Sequence, residues 1–191
     1  CGIVLVNHQS FADYSVCTSC VDYTRVSYIG RVGIFWLMPV VAFASLFILK
    51  KGIVFRRNSK DRHKMRQQIY NGLAKAMQRK QLVVVFPEGH RYLGEGTLPL
   101  KSGIINWAYE QQVACAIVLY YGNDKLINEK ALTINRGQEI TCWHREIYHP
   151  RDYSTAEEFF VTISRDFAAG YAELVAHVEQ APTYKTEDNH D

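Results

Sequence analysis

Hydrophobic and polar positions follow two rhythms along this chain. Some short runs are apolar throughout: "IVLV" (3–6), "LVVVF" (82–86) and "ACAIVLYY" (114–121). Such runs predict strands buried on both faces. "GIVF" (52–55) predicts another short strand. Elsewhere apolar residues recur every three or four positions. Met65, Ile69, Leu73 and Met77 share one face of a helix over 59–80, with Ser59 as its N-cap. "PLKSGIINWAYEQQ" (99–112) predicts a helix with proline at or near its first turn. Residues 155–179 predict a long helix begun by Ser154 or Thr155, with Glu157 and Glu158 in the first turn. Another helix starts within 11–24. "LTINRGQEITCWHREI" predicts a hairpin or strand pair around Asn135-Arg136-Gly137. Strands alternating with helices predict an α/β fold, a mixed, largely parallel sheet flanked by helices.

One block obeys neither rhythm. "VGIFWLMPVVAFASLFIL" (32–49) holds 18 uncharged residues between Arg31 and Lys50-Lys51, with Pro39 inside. This only just reaches the length of a membrane-spanning helix.

The 191 residues fit one domain, expected over 1–181, with a polar, disordered tail over 182–191. A hydrophobic share of 48% and a charged share of 21% exclude a wholly disordered chain. The chain starts at Cys1 rather than Met, and an N-terminally truncated protein is expected. Its five cysteines are scattered and odd in number, which does not suggest a disulfide framework. Cys17 and Cys20 have C-x-x-C spacing but no second pair, so a buried helix face is expected there rather than a metal site.

Charge changes the picture more. The net charge is +3, yet eight Lys or Arg residues lie between Lys50 and Arg66 with Asp61 as the only acid. The remainder holds 14 basic and 18 acidic residues. A basic patch on an otherwise acidic chain suggests an anionic partner. Aromatics are not interleaved with it as a nucleic-acid stacking surface needs, so no nucleic-acid partner is expected.

The candidate chemistry sits where apolar strands end. In "NHQSFAD" (7–13), His8 and Asp13 are five positions apart. That step falls about 140° out of alignment on a helix and on opposite faces of a strand. A turn from strand end to helix start can bring the two together. A carboxylate there can fix one imidazole nitrogen and leave the other as a base. "FPEGHR" (86–91) follows the next apolar strand, with Gly89 allowing close backbone approach and Glu88 and Arg91 projecting at the strand end. "GIVFRRN" (52–58) sets Arg56 and Arg57 after another strand, a placement suited to bidentate phosphate binding.

Together and in this order these blocks resemble the glycerolipid acyltransferases, which include lysophosphatidic acid acyltransferase. That family carries N-H-x-x-x-x-D, then G-x-x-F-I-x-R, then F-P-E-G-(T/S)-R, then a proline-containing apolar block. "NHQSFAD" matches the first fully, and "FPEGHR" matches the third with His90 in place of Thr or Ser. "LPLKSGIINWA" (98–108) resembles the segment that follows the third block. "GIVFRR" is one residue short, leaving Arg57 or Arg56 for the arginine position, and "CAIVLYYG" lacks the prolines of the fourth block. The resemblance covers roughly residues 3 to 122.

The resemblance implies an enzyme. It makes His8 the general base and Asp13 its orienting partner. The acceptor phosphate is placed near Arg57 and Arg91, with Glu88 and Gly89 shaping its site and Lys101 adding charge. The implied reaction moves a fatty acyl group from acyl-CoA, or acyl carrier protein, to the free hydroxyl of a lysophosphatidic acid-type acceptor. Glycerol-3-phosphate or another lysophospholipid is the alternative acceptor, and a catalytically inactive lipid-binding relative is the alternative in kind. No cofactor and no metal are implied beyond the thioester co-substrate.

These motifs also bear on residues 32–49. His8 and Asp13 precede the run, while Arg57, Glu88 and Arg91 follow it. A single span would part them, so the run is expected to be monotopic or re-entrant. Membrane lipid is then a partner, met by the basic patch at about 1 kcal/mol per Lys or Arg near the surface, with the catalytic face cytoplasmic.

Overall fold

The computed structural model describes residues 1–10, 12–20, 26–31, 52–55, 61–128 and 133–180. Eight strands occur among them: β1 (Gly2–Val6), β2 (Val26–Arg31), β3 (Gly52–Phe55), β4 (Leu82–Val85), β5 (Cys115–Tyr121), β6 (Ile127–Asn128), β7 (Thr133–Ile134) and β8 (Thr141–Tyr148). The α-helices are α1 (Asp13–Cys20), α2 (Arg62–Gln78), α3 (Ser102–Glu110) and α4 (Ala156–Gln180). Six strands form one sheet in the order β3-β2-β4-β1-β5-β8. The first five run parallel, and β8 pairs antiparallel with β5. The expected mixed, largely parallel sheet is thus present.

β1 lies between β4 and β5, so both its edges are paired, and all five of its residues are buried. Its side chains alternate between two cores, as a period of two requires. Ile3 and Leu5 join Val83, Val85, Ile117 and Leu119 under α2, α3 and α4. Val4 and Val6 join Val84, Val118 and Tyr120 with Val16 and Cys17 of α1. Cys17 therefore belongs to a core face.

α2 carries its apolar stripe as expected, with Leu73 fully buried and Met65, Ile69 and Met77 half-buried. Its N-cap is Asp61 rather than Ser59: the Asp61 carboxylate accepts from the Lys64 backbone N–H at 3.0 Å. α4 is capped as expected. Thr155 Oγ1 accepts from the Glu158 N–H at 3.1 Å, and the Glu158 carboxylate accepts from the Ser154 N–H at 2.9 Å.

Three further readings change. α3 begins at Ser102, so Pro99 lies upstream of its first turn. The backbone N–H groups of Leu98 and Lys101 are committed to Glu88 and to the Pro87 carbonyl, which holds 98–101 out of the helix. The turn at Asn135–Gln138 forms, but no hairpin forms around it. β7 pairs back onto β6, while β8 runs along β5 from Cys115↔Tyr148 to Tyr121↔Thr141. The long apolar flank of β5 offers more pairing and burial than the two exposed residues of β7. Finally, β2 was absent from the sequence pattern, although it adds a parallel rung between β3 and β4.

No helix among the described residues is long and apolar enough to cross a membrane. The apolar run 32–49 lies outside the described residues, as do most of the basic patch and the tail 182–191.

Candidate active site

Parallel strands end together, so the loops after β1, β4 and β5 meet at one edge of the sheet. The loop after β1 is the middle one. Asn7 anchors it to β5 by imitating a strand residue. Its side-chain Oδ1 accepts from the Tyr120 N–H, and its Nδ2 donates to the Tyr120 carbonyl, both at 2.8 Å. The chain then turns into α1, and His8 and Asp13 come together as their spacing predicted.

The His8 Nδ1 lies 2.8 Å from Asp13 Oδ2. Oδ2 also accepts the backbone N–H groups of Gln9 at 2.8 Å and Ser10 at 3.0 Å. Asp13 Oδ1 accepts from Asn123 Nδ2 at 2.6 Å. Asp13 is fully buried, and a buried carboxylate is tolerable only when donors surround it. Four do. Because the carboxylate only accepts, Nδ1 is the protonated nitrogen and Nε2 keeps its lone pair. The His8 side chain is 17% exposed, so this lone pair belongs to the reachable part of the dyad. The ring is stacked on Phe86, with centroids 4.2 Å apart.

"FPEGHR" forms the second wall. Glu88 is buried, and its two oxygens accept from the His8 N–H at 3.0 Å and the Leu98 N–H at 2.8 Å. Burial pushes the Glu88 carboxyl up from its usual range, and these two hydrogen bonds pull it part of the way back. Glu88 thus braces the backbone of His8, with both oxygens committed to main-chain donors. Gly89 sits at φ +74, and a Cβ there would fall 2.3 Å from Lys101 Nζ. Glycine therefore both permits the turn and makes room for the lysine, whose ammonium lies over it. Arg91 is half-buried and precedes Tyr92, whose N–H donates to the His8 carbonyl at 2.8 Å.

The structure thus brings His8, Asp13, Glu88, Gly89, Arg91 and Lys101 to one edge. β3 ends at the same edge as its parallel neighbours, but Arg56 and Arg57 lie outside the described residues. Three contributors escaped the sequence reading. Phe86 was read only as the end of a strand. Asn123 follows an apolar parallel strand, and its place at the carboxyl end was the available signal. Tyr171 of α4 accepts from Gln9 Nε2, and nothing in the local sequence announces it.

A dyad of this kind can remove a proton from a hydroxyl and return it to a leaving group. No curated protein matches the chain. Among solved structures it is similar to the 1-acyl-sn-glycerophosphate (LPA) acyltransferase PlsC from Thermotoga maritima, with a TM-score of 0.71 and 22% identity. That match covers 92% of this chain and 66% of the other, so the chain spans just under two thirds of that protein's length. At this identity the likeness establishes the shared fold. The family model described as Acyltransferase matches residues 2–120, more than half of the chain. The expected kinship with acyltransferases is borne out: the chain belongs to the Acyltransferase family.

Proposed function

We propose that this protein is a glycerolipid O-acyltransferase that uses a fatty acyl thioester, acyl-CoA or acyl carrier protein, and a lysophosphatidic acid-type acceptor. The observation that carries the reading is the 2.8 Å His8–Asp13 contact at the carboxyl edge of the sheet. His8 Nε2 takes the proton of the acceptor hydroxyl as that oxygen attacks the thioester carbonyl. The C–O ester bond forms, the C–S bond breaks, and the proton passes from His8 to the departing thiolate. No acyl-enzyme is needed, because the thioester is already activated. Such base assistance is typically worth ~10²–10⁴ in rate.

Support for a phosphorylated acceptor comes from Lys101 over the Gly89 turn and from Arg91 beside the His8 loop, with Arg56 and Arg57 following β3. The fold shared with a 1-acyl-sn-glycerophosphate acyltransferase points the same way. We place the protein at a membrane surface, through residues 32–49 and the flanking basic patch, with both halves of the site on one, cytoplasmic, face.

The test is an acceptor panel with purified protein in detergent. Lysophosphatidic acid, glycerol-3-phosphate and lysophosphatidylcholine are each offered with oleoyl-CoA and with an oleoyl carrier protein. Thiol release and labelled ester are read in parallel. Thiol release that requires the acceptor and is lost in His8→Ala supports the reading. Thiol release no greater than that of His8→Ala with every pair makes the chain an inactive lipid-binding relative.

A further inference from the structure

The family model ends at residue 120, yet two groups beyond it reach the loop that carries the base. Asn123 is fully buried just after β5 and gives its Nδ2–H to Asp13 Oδ1 at 2.6 Å, across 110 residues of sequence. Tyr171, buried on α4, takes the hydrogen of Gln9 Nε2 across 162 residues. We propose that Asn123 is a positioning residue for catalysis, holding Asp13 so that the His8 proton stays on Nδ1 and the lone pair stays on Nε2.

Three observations carry this. The first is where Asp13 spends its oxygens. Oδ2 takes three donors from its own loop, and Oδ1 takes its donor from Asn123. Without Asn123, the carboxylate is held through Oδ2 alone and loses its one restraint on the Oδ1 side against rotation about the Cβ–Cγ bond. Rotation trades the His8 bond against the backbone ones.

The second is how firmly Asn123 is placed. Asn7 clips the two chains at Tyr120 through paired 2.8 Å bonds, three residues before Asn123. Gly122 then turns at φ +89, and a Cβ there would meet the Glu139 carbonyl oxygen at 2.5 Å. The turn that presents Asn123 is therefore specific to this backbone.

The third is the cost accepted at Asn123 itself. Its Oδ1 is buried without a hydrogen-bond partner among the described residues. Native structures rarely tolerate this. Here it follows from turning Nδ2 toward the carboxylate, the one orientation that serves Asp13. Tyr171 supports the same loop, since the Gln9 that it holds also gives its backbone N–H to Asp13.

The test joins a spectroscopic and a kinetic measurement on the whole chain. Imidazole ¹⁵N shifts, with the His8 signal assigned by its loss in His8→Ala, report which nitrogen carries the proton. The wild type is expected to show the Nδ1–H form, and Asn123→Ala a mixture of both. The kinetic arm rests on the proposed acyl transfer. There kcat falls by about 10- to 100-fold, as for a lost hydrogen bond to a charged group, while KM for both substrates changes by less than about 2-fold. Asn123→Leu keeps about the same side-chain size, removes the donor without adding a charge, and gives the same readings if Asn123→Ala does not fold. An Nε2–H form in the wild type overturns the proposal, and so does an unchanged tautomer in a folded variant. A loss of activity explained by KM or by the unfolded fraction also overturns it. The tautomer arm needs no substrate, so it stands even if the acyl-transfer reading fails.

Discussion

Phe86 lies nearly flat against the imidazole of His8, with ring centroids 4.2 Å apart and planes 21° from parallel. Asp13 fixes one edge of the ring, and Phe86 fixes its plane. The stack also faces the cation that forms when His8 takes a proton, and an aromatic face attracts such a cation. Phe86→Leu keeps most of the apolar volume and removes the π-face. Aromatic pairs are worth ~0.5–1.5 kcal/mol beyond their buried area, so kcat is expected to fall by about 2- to 12-fold. Steady-state kinetics beside a thermal melt check this, and a rate unchanged at equal folded fraction removes Phe86 from the mechanism.

Asp13→Asn separates charge from geometry. The new amide can leave its oxygen where Oδ2 accepts from Gln9, Ser10 and His8, and turn its NH₂ toward Asn123. Asn123 then only has to flip, which gives its orphaned Oδ1 a donor. The variant is expected to fold with near-native stability and to lose activity by roughly 10²–10⁴-fold through loss of the negative charge that stabilises the imidazolium. Denaturant unfolding and kcat read the two effects separately. Loss of the fold would mean that the carboxylate charge itself holds the loop.

Glu88 predicts a pH dependence of stability. Its folded pKa lies above the ordinary 4.5 because burial outweighs the bonds from Leu98 and His8. Within the window between these values the folded state binds the proton more tightly than the unfolded chain. Its contribution to stability is therefore full below the ordinary value, falls as pH rises through the raised one, and is flat above that. Glu88→Gln abolishes this slope. It also leaves one of the two backbone N–H groups facing an amide NH₂, at a cost of ~1–3 kcal/mol. Urea unfolding of both proteins across this window checks the difference, and parallel profiles would contradict the burial of the carboxyl.

The cationic residues are expected to act on acceptor binding and unequally. Lys101 is exposed, and an exposed charge pair is worth at most ~1 kcal/mol. Lys101→Ala is thus expected to raise KM for a phosphorylated acceptor by no more than about 5-fold. Arg91 is half-buried, and hydrogen bonds to charged groups reach ~1.5–3 kcal/mol, so Arg91→Ala is expected to raise KM by about 10-fold or more. A phosphate-free acceptor is the control. Equal damage with it would remove the phosphate role from both.

What was legible in the sequence was local. The turn joining His8 to Asp13 follows from a spacing that fits no helix or strand. The stripe of α2 and the apolar β1, β4 and β5 follow from periodicity. What was not legible depends on partners far away in sequence. β2 escaped because "VSYIGR" breaks the apolar rhythm with Ser27, which is buried yet satisfied by Gln81 at 2.8 Å. The hairpin was misjudged because a turn at Asn135–Gln138 states that the chain reverses, and not which strand it will meet. Asn123 could be suspected only from its place at a strand end, and Tyr171 not at all, because a hydrogen bond spanning more than a hundred residues leaves no period behind.

Glu88 joins the β1 loop to the β4 loop and to the chain at Leu98, so His8 is mounted where three chain segments meet. A shift of the chain at Leu98 is therefore handed to the backbone of His8 through a single carboxyl group. Variation along 98–101 can thus retune the dyad without touching either of its members.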